Sequence, residues 1–151
     1  MPQTIIRPAH ADEYDEVARV WMESWVSVGL EDASDSLLAK LSARVPTEVE
    51  KGWSLYVADD NGVLAAMLAL HVPECYLDQL FVAPKYQGNS LGRQLLAFTR
   101  QHLPDEIWLR CVRENEKAWR WYEREGFAFE KEQVDSMSGR VMKYYRWRKS
   151  A

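Results

Sequence analysis

The segment Leu80–Leu96 constrains the fold most, because an apolar strand runs through a short polar turn directly into an amphipathic helix. Apolar residues recur after the turn at helical spacing, at Leu91, Leu95 and Phe98, which predicts a helix anchored on a core. The first amides of such a helix lack intrahelical partners, and the helix dipole adds partial positive charge at the same end. The segment therefore predicts an anion-binding turn of the kind that holds phosphate.

The residues of this turn suit that function. Gly88 and Asn89 tolerate the positive φ that an anion-wrapping turn requires. Ser90 is expected to cap the helix, Gly92 to let a ligand approach the backbone, and Arg93 to add a full positive charge. An ordinary capped turn between a strand and a helix would contain similar residues, so this motif alone leaves both interpretations open.

A second segment, Asn115–Phe127, has the pattern of a helix with well-marked ends. Asn115 is a natural N-cap, and Gly126 is a natural residue just beyond the C-terminus. Asn115, Trp119 and Tyr122 lie along one face because they are spaced at i, i+4 and i+7. Tyr122 is either a core aromatic with its hydroxyl at the rim or a functional group on the face that Asn115 opens.

With these two segments in this order, the chain resembles the GNAT superfamily of N-acetyltransferases. The acetyl-CoA signature of that superfamily is Gln or Arg, two variable residues, Gly, a variable residue, then Gly or Ala. The segment Gln87–Gly92 fits this pattern except that Ser90 stands at the first glycine position, and Asn115–Phe127 resembles the second hallmark. The resemblance covers essentially the whole chain. It implies an N-acetyltransferase that uses acetyl-CoA as its cosubstrate.

The predicted order of elements along the chain is β α α β β β α β α β β, which is the GNAT order. The second helix is predicted over Ser36–Ala43, and an Asn61–Gly62 turn joins two strands in a hairpin. The predicted fold class is α/β (α+β), with a mixed, mostly antiparallel sheet whose central strands splay apart between flanking helices. One domain is expected over residues 1–151, and the strand Val141–Trp147 could pair with a second copy in a homodimer if its edge is exposed.

The resemblance also implies which residues bind acetyl-CoA. In the superfamily the cofactor lies in the wedge between the splayed strands, where its pantetheine amides replace the missing strand partners. The residues that match by position are Leu80, Phe81, Val82, Gln87, Gly88, Asn89, Ser90, Leu91, Gly92, Arg93 and Asn115. No metal is expected.

The implied reaction is direct attack of a neutral amine on the thioester carbonyl in a ternary complex. Tyr122 is expected to protonate the departing thiolate, because its unperturbed pKa near roughly 10 keeps it protonated. A backbone N–H of Phe81 or Val82 is expected to stabilise the oxyanion. An amine with a pKa of roughly 10 also needs a base or a water chain to remove a proton.

Three residues on or near the central strand are candidates for this base. Asp78 lies inside an apolar strand segment and needs some partner there, so a catalytic and a structural role are equally open. Glu74 and His71 are more simply explained as a solvated strand end and a structural histidine. Asp78 and Tyr122 are therefore the predicted catalytic pair.

The sequence does not identify the acceptor amine. By the same resemblance, the first two helices and the final hairpin form the acceptor site, and the aromatic and acidic residues there are Trp21, Glu23, Trp25, Glu31, Asp32 and Asp35. Aromatic walls with carboxylates would suit a cationic amine, although each residue also suits an ordinary core or surface role. A protein N-terminus, a lysine side chain, a polyamine, an amino acid and an aminoglycoside all remain open.

Composition and charge exclude several other classes of protein. With 47% hydrophobic and 28% charged residues the chain is expected to be globular, and a net charge of −4 argues against general nucleic-acid binding. No apolar run approaches a membrane span and no secretory signal is expected, so we expect a cytoplasmic protein in which Cys75 and Cys111 are reduced and buried.

Two functions of other classes compete with the N-acetyltransferase as explanations of the sequence. A non-catalytic acyl-CoA-binding regulator would use the same wedge to sense the cofactor, and it remains the alternative. A dinucleotide-binding domain is disfavoured, because no Gly-x-Gly-x-x-Gly follows an early strand and the predicted strand order is antiparallel.

Overall fold

The computed structural model describes residues 4–150 and has one seven-stranded sheet with helices on both faces. The strands are β1 (Ile5–Pro8), β2 (Ser54–Asp60), β3 (Val63–His71), β4 (Tyr76–Val82), β5 (Glu106–Val112), β6 (Ala128–Val134) and β7 (Val141–Arg148). The helices are α1 (Tyr14–Val28), α2 (Asp35–Glu50), α3 (Leu91–His102) and α4 (Glu116–Arg124). Within the described residues, no helix has the length and apolar character needed to cross a membrane.

The strands are arranged in the order β1-β2-β3-β4-β5-β7-β6, and β4–β5 is the one parallel pair. This confirms the predicted class, a mixed and mostly antiparallel sheet. The predicted hairpin between β2 and β3 is also present, because Asn61 and Gly62 have φ values of 51° and 92°, as a two-residue hairpin turn requires.

β3 is buried along almost its whole length because helices cover both faces of the sheet. Leu68 and Leu70 pack into the core beneath α3 and α4. Met67 and Ala69 point the other way and pack against α1 and α2, as the two-residue period of a strand requires. The sheet is therefore the middle layer of three, with a separate core on each face.

β4 and β5 are paired only at their beginnings. Tyr76 lies beside Trp108, and the Trp108 N–H donates to the carbonyl oxygen of Cys75 at 3.0 Å. No further residue pair of these strands is in register within the described chain, so the strands diverge towards their carboxyl ends. The resulting wedge is the predicted splay, and it leaves strand backbone groups that need other partners.

Asp78 is an extra residue in β4. The pairing with β3 skips it, because Gln79 lies opposite Ala69 while Leu77 lies opposite Leu70. Such a β-bulge interrupts the alternation of faces along a strand. Leu77 therefore packs into the core beneath α3, whereas the Asp78 side chain can turn towards the layer of α1 and α2.

α2 is longer than the predicted segment Ser36–Ala43 and continues through Pro46. A buried stripe explains this, because Leu37, Leu41 and Val45 recur every four residues and hold the helix against the sheet. The Pro46 ring is exposed on the opposite side. Tertiary burial therefore outweighs the local cost of the proline.

Replacing Pro46 with alanine is expected to stabilise the protein. A proline inside a helix removes one backbone hydrogen bond and costs about 3 kcal/mol relative to alanine. Without the proline the unfolded chain has more conformational entropy, which offsets up to about 1 kcal/mol of this gain. We expect a rise in Tm of about 2–8 °C, measured by circular dichroism. Glu50→Ala, an exposed change at the end of the same helix, serves as the control and should leave Tm unchanged. An unchanged or lower Tm for Pro46→Ala would contradict this explanation of α2.

The condition under which the last strand could pair with a second copy, an exposed edge, is not met. β7 lies between β5 and β6 and pairs with both along most of its length. It has no free edge because β6 returns along its outer side as a hairpin. The edges of the described sheet are instead β1 and β6.

Candidate active site

Two cavities open on the wedge between β4 and β5. The larger, of about 720 Å³, lies between the end of α1, the turn before α3 and the start of α4. The smaller, of about 310 Å³, lies between the sheet and the layer of α1 and α2. Their shared lining residues are Leu80, Phe81, Asn115 and Ala118. The larger is termed the turn cavity and the smaller the inner cavity, and they meet in the wedge.

The turn before α3 presents a row of backbone N–H groups to the turn cavity. Gly88 and Ser90 have φ values of 86° and 60°, which curl the backbone ahead of the helix. No N–H of residues 88–93 is bonded to an acceptor within the described chain, and the first bond into α3 runs from the Gln94 N–H to the Ser90 carbonyl at 3.1 Å. Free amides at the start of a helix attract anions, so the local geometry suits a phosphate.

The backbone and the capping of this turn differ from what its sequence suggested. Asn89 does not have positive φ, because Ser90 takes the left-handed conformation in its place. The Ser90 side chain also caps no amide of α3, since an N-cap side chain reaches back to the helix from extended backbone. Its Oγ instead accepts a hydrogen bond of 3.4 Å from Gln94 Nε2. Asn115 likewise begins α4 without a side-chain cap.

Gly92 allows α3 and α4 to approach each other. A Cβ atom at this position would lie 3.4 Å from Cζ2 of Trp121. Gly92 was expected to let a ligand approach the backbone. On the side where a side chain would project, the group that approaches Gly92 closely is the Trp121 ring. Trp121 forms part of the wall of the turn cavity, and nothing in its sequence spacing distinguished it from a core aromatic.

Two basic side chains flank the turn cavity. Arg93 is exposed, and its Nε donates to Glu125 Oε2 at 3.2 Å. Lys117, which the sequence analysis did not single out, donates from Nζ to Gln87 Oε1 at 3.4 Å. Gln87 in turn donates from Nε2 to the Val82 carbonyl at 3.0 Å. The two cations are thus held at the rim by contacts that leave them open to an anion.

Backbone groups along β4 alternate between β3 and the wedge. The Ala83 N–H donates to the Ala65 carbonyl of β3 at 2.8 Å, and residues two apart in an antiparallel pair share this direction. The amide of Phe81 is therefore directed at β3, and those of Leu80 and Val82 at the wedge. Of the two residues predicted to supply an oxyanion donor, Val82 is the one with its amide on this side.

Ser24 of α1 also reaches the wedge, which the sequence analysis missed. It is only 3% exposed, and its Oγ donates to the Val82 carbonyl at 3.2 Å. The available signal was its position on the apolar stripe of α1, three residues after the buried Trp21. A hydroxyl on such a stripe needs a buried acceptor.

Tyr122 lines the inner cavity with its ring packed against Trp121 and Phe127. It is 6% exposed, and no side-chain hydrogen bond among residues 4–150 involves its hydroxyl. Burial, reinforced by the nearby Cys111, raises the pKa of Tyr122 well above its ordinary value. Cys111 is a free thiol that lines the same cavity, and burial raises its pKa to about 12. Both groups are therefore protonated at neutral pH.

Asp78 also lines the inner cavity, and three side chains hold its carboxylate. Trp53 Nε1 donates to Oδ2 at 2.7 Å, His71 Nε2 lies 3.1 Å from the same oxygen, and Gln79 Nε2 donates to Oδ1 at 3.1 Å. Glu48, His71 and Asp78 have potential ligand atoms within 4.8 Å of one another, the single such group in the described part of the chain. Hydrogen bonds already satisfy Asp78 Oδ2 without a metal.

The predicted residues divide clearly between the two cavities and the surface. Ten of the eleven predicted cofactor residues line the turn cavity, and Asn89 does not. Of the base candidates, Glu74 lines neither cavity, and His71 reaches the inner cavity only through its contact with Asp78. Of the residues predicted around the acceptor, the inner cavity is lined by Trp21, Trp25 and Glu31 and not by Glu23, Asp32 or Asp35.

The sequence model of the Acetyltransferase (GNAT) family matches residues 14–127, which is most of the chain. This range includes the wedge and the residues that the two cavities share. The chain belongs to the GNAT acetyltransferase family. This confirms the family predicted from the two sequence hallmarks.

Two curated GNAT relatives are N-acetyltransferases by name. The probable N-acetyltransferase Rv2775 of Mycobacterium tuberculosis is 27% identical over 136 residues, which cover 81% of this chain and 78% of the relative. The spermine/spermidine N(1)-acetyltransferase of Bacillus subtilis is 37% identical over 72 residues, which cover 44% of this chain and 47% of the relative. The second match therefore spans less than half of either protein.

Solved structures show the same GNAT fold. PH1933 from Pyrococcus horikoshii has a TM-score of 0.81 at 19% identity, with 99% of this chain and all of that chain covered (100%). The PaiA N-acetyltransferase of Thermoplasma acidophilum, solved in complex with coenzyme A, has a TM-score of 0.71 at 17% identity, with 97% and 99% covered. At these identities the likeness shows the fold alone.

Proposed function

We propose that this GNAT protein transfers the acetyl group of acetyl-CoA to a primary amine by direct attack in a ternary complex. The observation that carries the proposal is the meeting of the two cavities at Leu80, Phe81, Asn115 and Ala118 in the wedge. A thioester held in the turn cavity and an amine held in the inner cavity would come together there. Positioning of this kind can replace a covalent enzyme intermediate.

The turn cavity suits acetyl-CoA, which supplies the activated acetyl group. The unbonded amides of residues 88–93 suit its phosphates, and Arg93 and Lys117 add positive charge at the rim. The wedge-facing backbone of Leu80 and Val82 suits the amides of the pantetheine arm. The coenzyme A complex of the Thermoplasma acidophilum relative supports the same cofactor.

Tyr122 is proposed as the general acid. Its hydroxyl lines the inner cavity without a side-chain hydrogen bond in the described chain and remains protonated because burial raises its pKa. The same desolvation also raises the pKa of a thiol that departs beside it, so proton transfer from tyrosine to thiolate is not opposed. The Val82 N–H, directed at the wedge, would stabilise negative charge on the carbonyl oxygen.

Asp78 is proposed to accept the proton that the amine loses, directly or through water. The bulge turns its side chain towards the inner cavity, where Gln79 is the one described residue that donates to Oδ1. His71 lies behind Oδ2 at 3.1 Å and near Glu48, which gives the proton a route away from the cavity. A carboxylate held this way can act as a base without large rearrangement.

The acceptor in this proposal is a primary amine of a small molecule, a peptide or a protein. The name of the Bacillus subtilis relative brings polyamines into this range. The match covers under half of this chain, so it does not narrow the range further.

The proposal is tested by titrating the purified protein calorimetrically with acetyl-CoA, coenzyme A and NADH. We expect saturable acetyl-CoA binding with a Kd of about 1–100 μM and no response to NADH. Release of coenzyme A in the presence of amines then measures transfer. Folded protein that does not bind acetyl-CoA would refute the proposal, and binding without coenzyme A release for any amine would favour a regulator that senses acyl-CoA.

A further inference from the structure

Charged side chains of both signs line the inner cavity, and basic ones outnumber acidic ones by four to three. The acidic residues are Glu31, Asp78 and Asp135, and the basic residues are Lys40, Arg44, Arg110 and Arg140. An acceptor whose amine reaches the wedge must leave its remaining part in this cavity. Its other charges therefore have to match this lining.

The carboxylates of the cavity are already occupied by donors of the protein. Glu31 Oε1 accepts from Trp25 Nε1 at 3.0 Å. Asp135 accepts from Arg110 Nη1 at 3.2 Å, and hydrogen bonds from Ser138 hold its pKa below the ordinary value, so it stays ionised. The third carboxylate, on the bulge of β4, has the three partners described above. A second ammonium group would have to share these carboxylates with donors of the protein.

Unlike these carboxylates, two basic residues of α2 have no ion-pair partner among the described residues. Lys40 and Arg44 line the cavity one helical turn apart, and within residues 4–150 neither has a carboxylate oxygen within 4.0 Å. The Arg44 guanidinium lies 5.0 Å from the centre of the Trp21 ring, a contact that holds it over the cavity wall. Both residues are exposed at the cavity mouth, so a bound anion can reach them.

The aromatic faces predicted to bind a cationic amine are covered by the protein's own cations. Arg44 lies over Trp21, and the Arg140 guanidinium lies 5.4 Å from the centre of the Trp25 ring. A polyamine would meet guanidinium groups where a free ring was expected. Like charges placed together in this way oppose binding.

We propose that the acceptor is a primary amine that also carries an anionic group, a carboxylate or a phosphate, which Arg44 and Lys40 bind. This inference rests on the proposed acetyl transfer. In that step the amine nitrogen forms a bond to the acetyl carbon as the carbon–sulfur bond breaks. One N–H proton leaves towards Asp78 and the thiolate takes a proton from Tyr122, which gives an N-acetylated acid and coenzyme A. Asp78 then releases its proton to solvent and Tyr122 regains one from it, so the enzyme returns to its starting state.

The test compares amines matched in length that differ in the charge of their far end. One set is 4-aminobutanoate, butylamine and 1,4-diaminobutane, and the other is O-phosphoethanolamine and ethanolamine, so the two sets separate carboxylate from phosphate. Coenzyme A release is measured with saturating acetyl-CoA. We expect kcat/KM for the anionic member of at least one set to exceed that of the other members of its set by about 10-fold or more, and to exceed that of 1,4-diaminobutane.

Arg44→Gln is expected to raise KM for the preferred anionic amine by about 10-fold, with kcat and the rate for butylamine nearly unchanged. Arg148→Gln is the matched control, because Arg148 is exposed, lines neither cavity and changes the net charge equally. An equal loss for anionic and neutral amines in Arg44→Gln, or the same loss in Arg148→Gln, would overturn the assignment of Arg44.

A preference for 1,4-diaminobutane over both anionic amines would overturn the proposal itself. If no amine releases coenzyme A, the proposal is tested by measuring how tightly the same compounds bind to the protein with and without coenzyme A. Tighter binding of an anionic amine, lost in Arg44→Gln, supports the inference, and equal or weaker binding refutes it. Failure of the proposed function is distinct, because it appears as absent acetyl-CoA binding by folded protein.

Discussion

Replacing Tyr122 with phenylalanine is expected to lower kcat by about 100-fold or more while acetyl-CoA binding stays within a few-fold of the original. The change removes one oxygen atom, and no described residue loses a side-chain hydrogen bond, because none among residues 4–150 involves the hydroxyl. The ring contacts with Trp121 and Phe127 remain. The departing thiolate would then have to take its proton from water. Steady-state coenzyme A release and acetyl-CoA calorimetry measure the two effects separately.

Tyr145→Phe is the matched control for this variant. Tyr145 is fully buried and lines neither cavity, and its hydroxyl donates to Glu123 Oε2 at 2.7 Å. Its loss should lower thermal stability and leave kcat close to the original value. If Tyr122→Phe kept full turnover on a verified acceptor, Tyr122 would have no part in the chemistry.

Replacing Gly92 with glutamate is expected to weaken acetyl-CoA binding by about 100-fold, because the new carboxylate would lie among the amides that suit phosphate. The substituted Cβ would already lie 3.4 Å from the Trp121 ring, so the rest of the side chain must displace that ring or enter the turn cavity. Calorimetry measures the affinity, and circular dichroism shows whether the variant is folded.

Gly92→Ala separates bulk from charge at the same position. The added methyl group makes a tight but tolerable contact with Trp121, so affinity should fall only a few-fold. Unchanged affinity in folded Gly92→Glu would mean that the start of α3 is a structural turn and does not hold the phosphates. A fall of equal size in both variants would assign the effect to packing between α3 and α4.

Local signals in the sequence predicted the elements that frame the wedge. The polar turn before α3, the Asn61–Gly62 hairpin and the ends of α4 are each determined within a few residues, by backbone preferences and by apolar spacing. Together these local signals predict the order of helices and strands along the chain. These are the parts of the molecule in which short-range preferences and the final packing agree.

The parts that were not predicted depend on residues distant in sequence. α2 continues through Pro46 because its apolar stripe is held by the sheet, which no local preference reveals. The bulge at Asp78 exists only relative to the pairing of β4 with β3. The covering of Trp25 by Arg140 joins positions more than a hundred residues apart along the chain. The proposed acceptor preference rests on contacts of this kind, which no local pattern in the sequence reveals.

The splay between β4 and β5 divides the sheet into two halves, β1–β4 and β5–β7. A single register pair, Tyr76 beside Trp108, joins the strands at the seam, and no other pair extends it in the described chain. A ligand whose amides bond to Leu80 and Val82 would act as an extra strand along this seam. Its affinity would then add to the stability of the fold, by about 2.7 kcal/mol when its concentration is 100 times Kd. The resistance of such a protein to unfolding would rise and fall with the supply of its own cosubstrate.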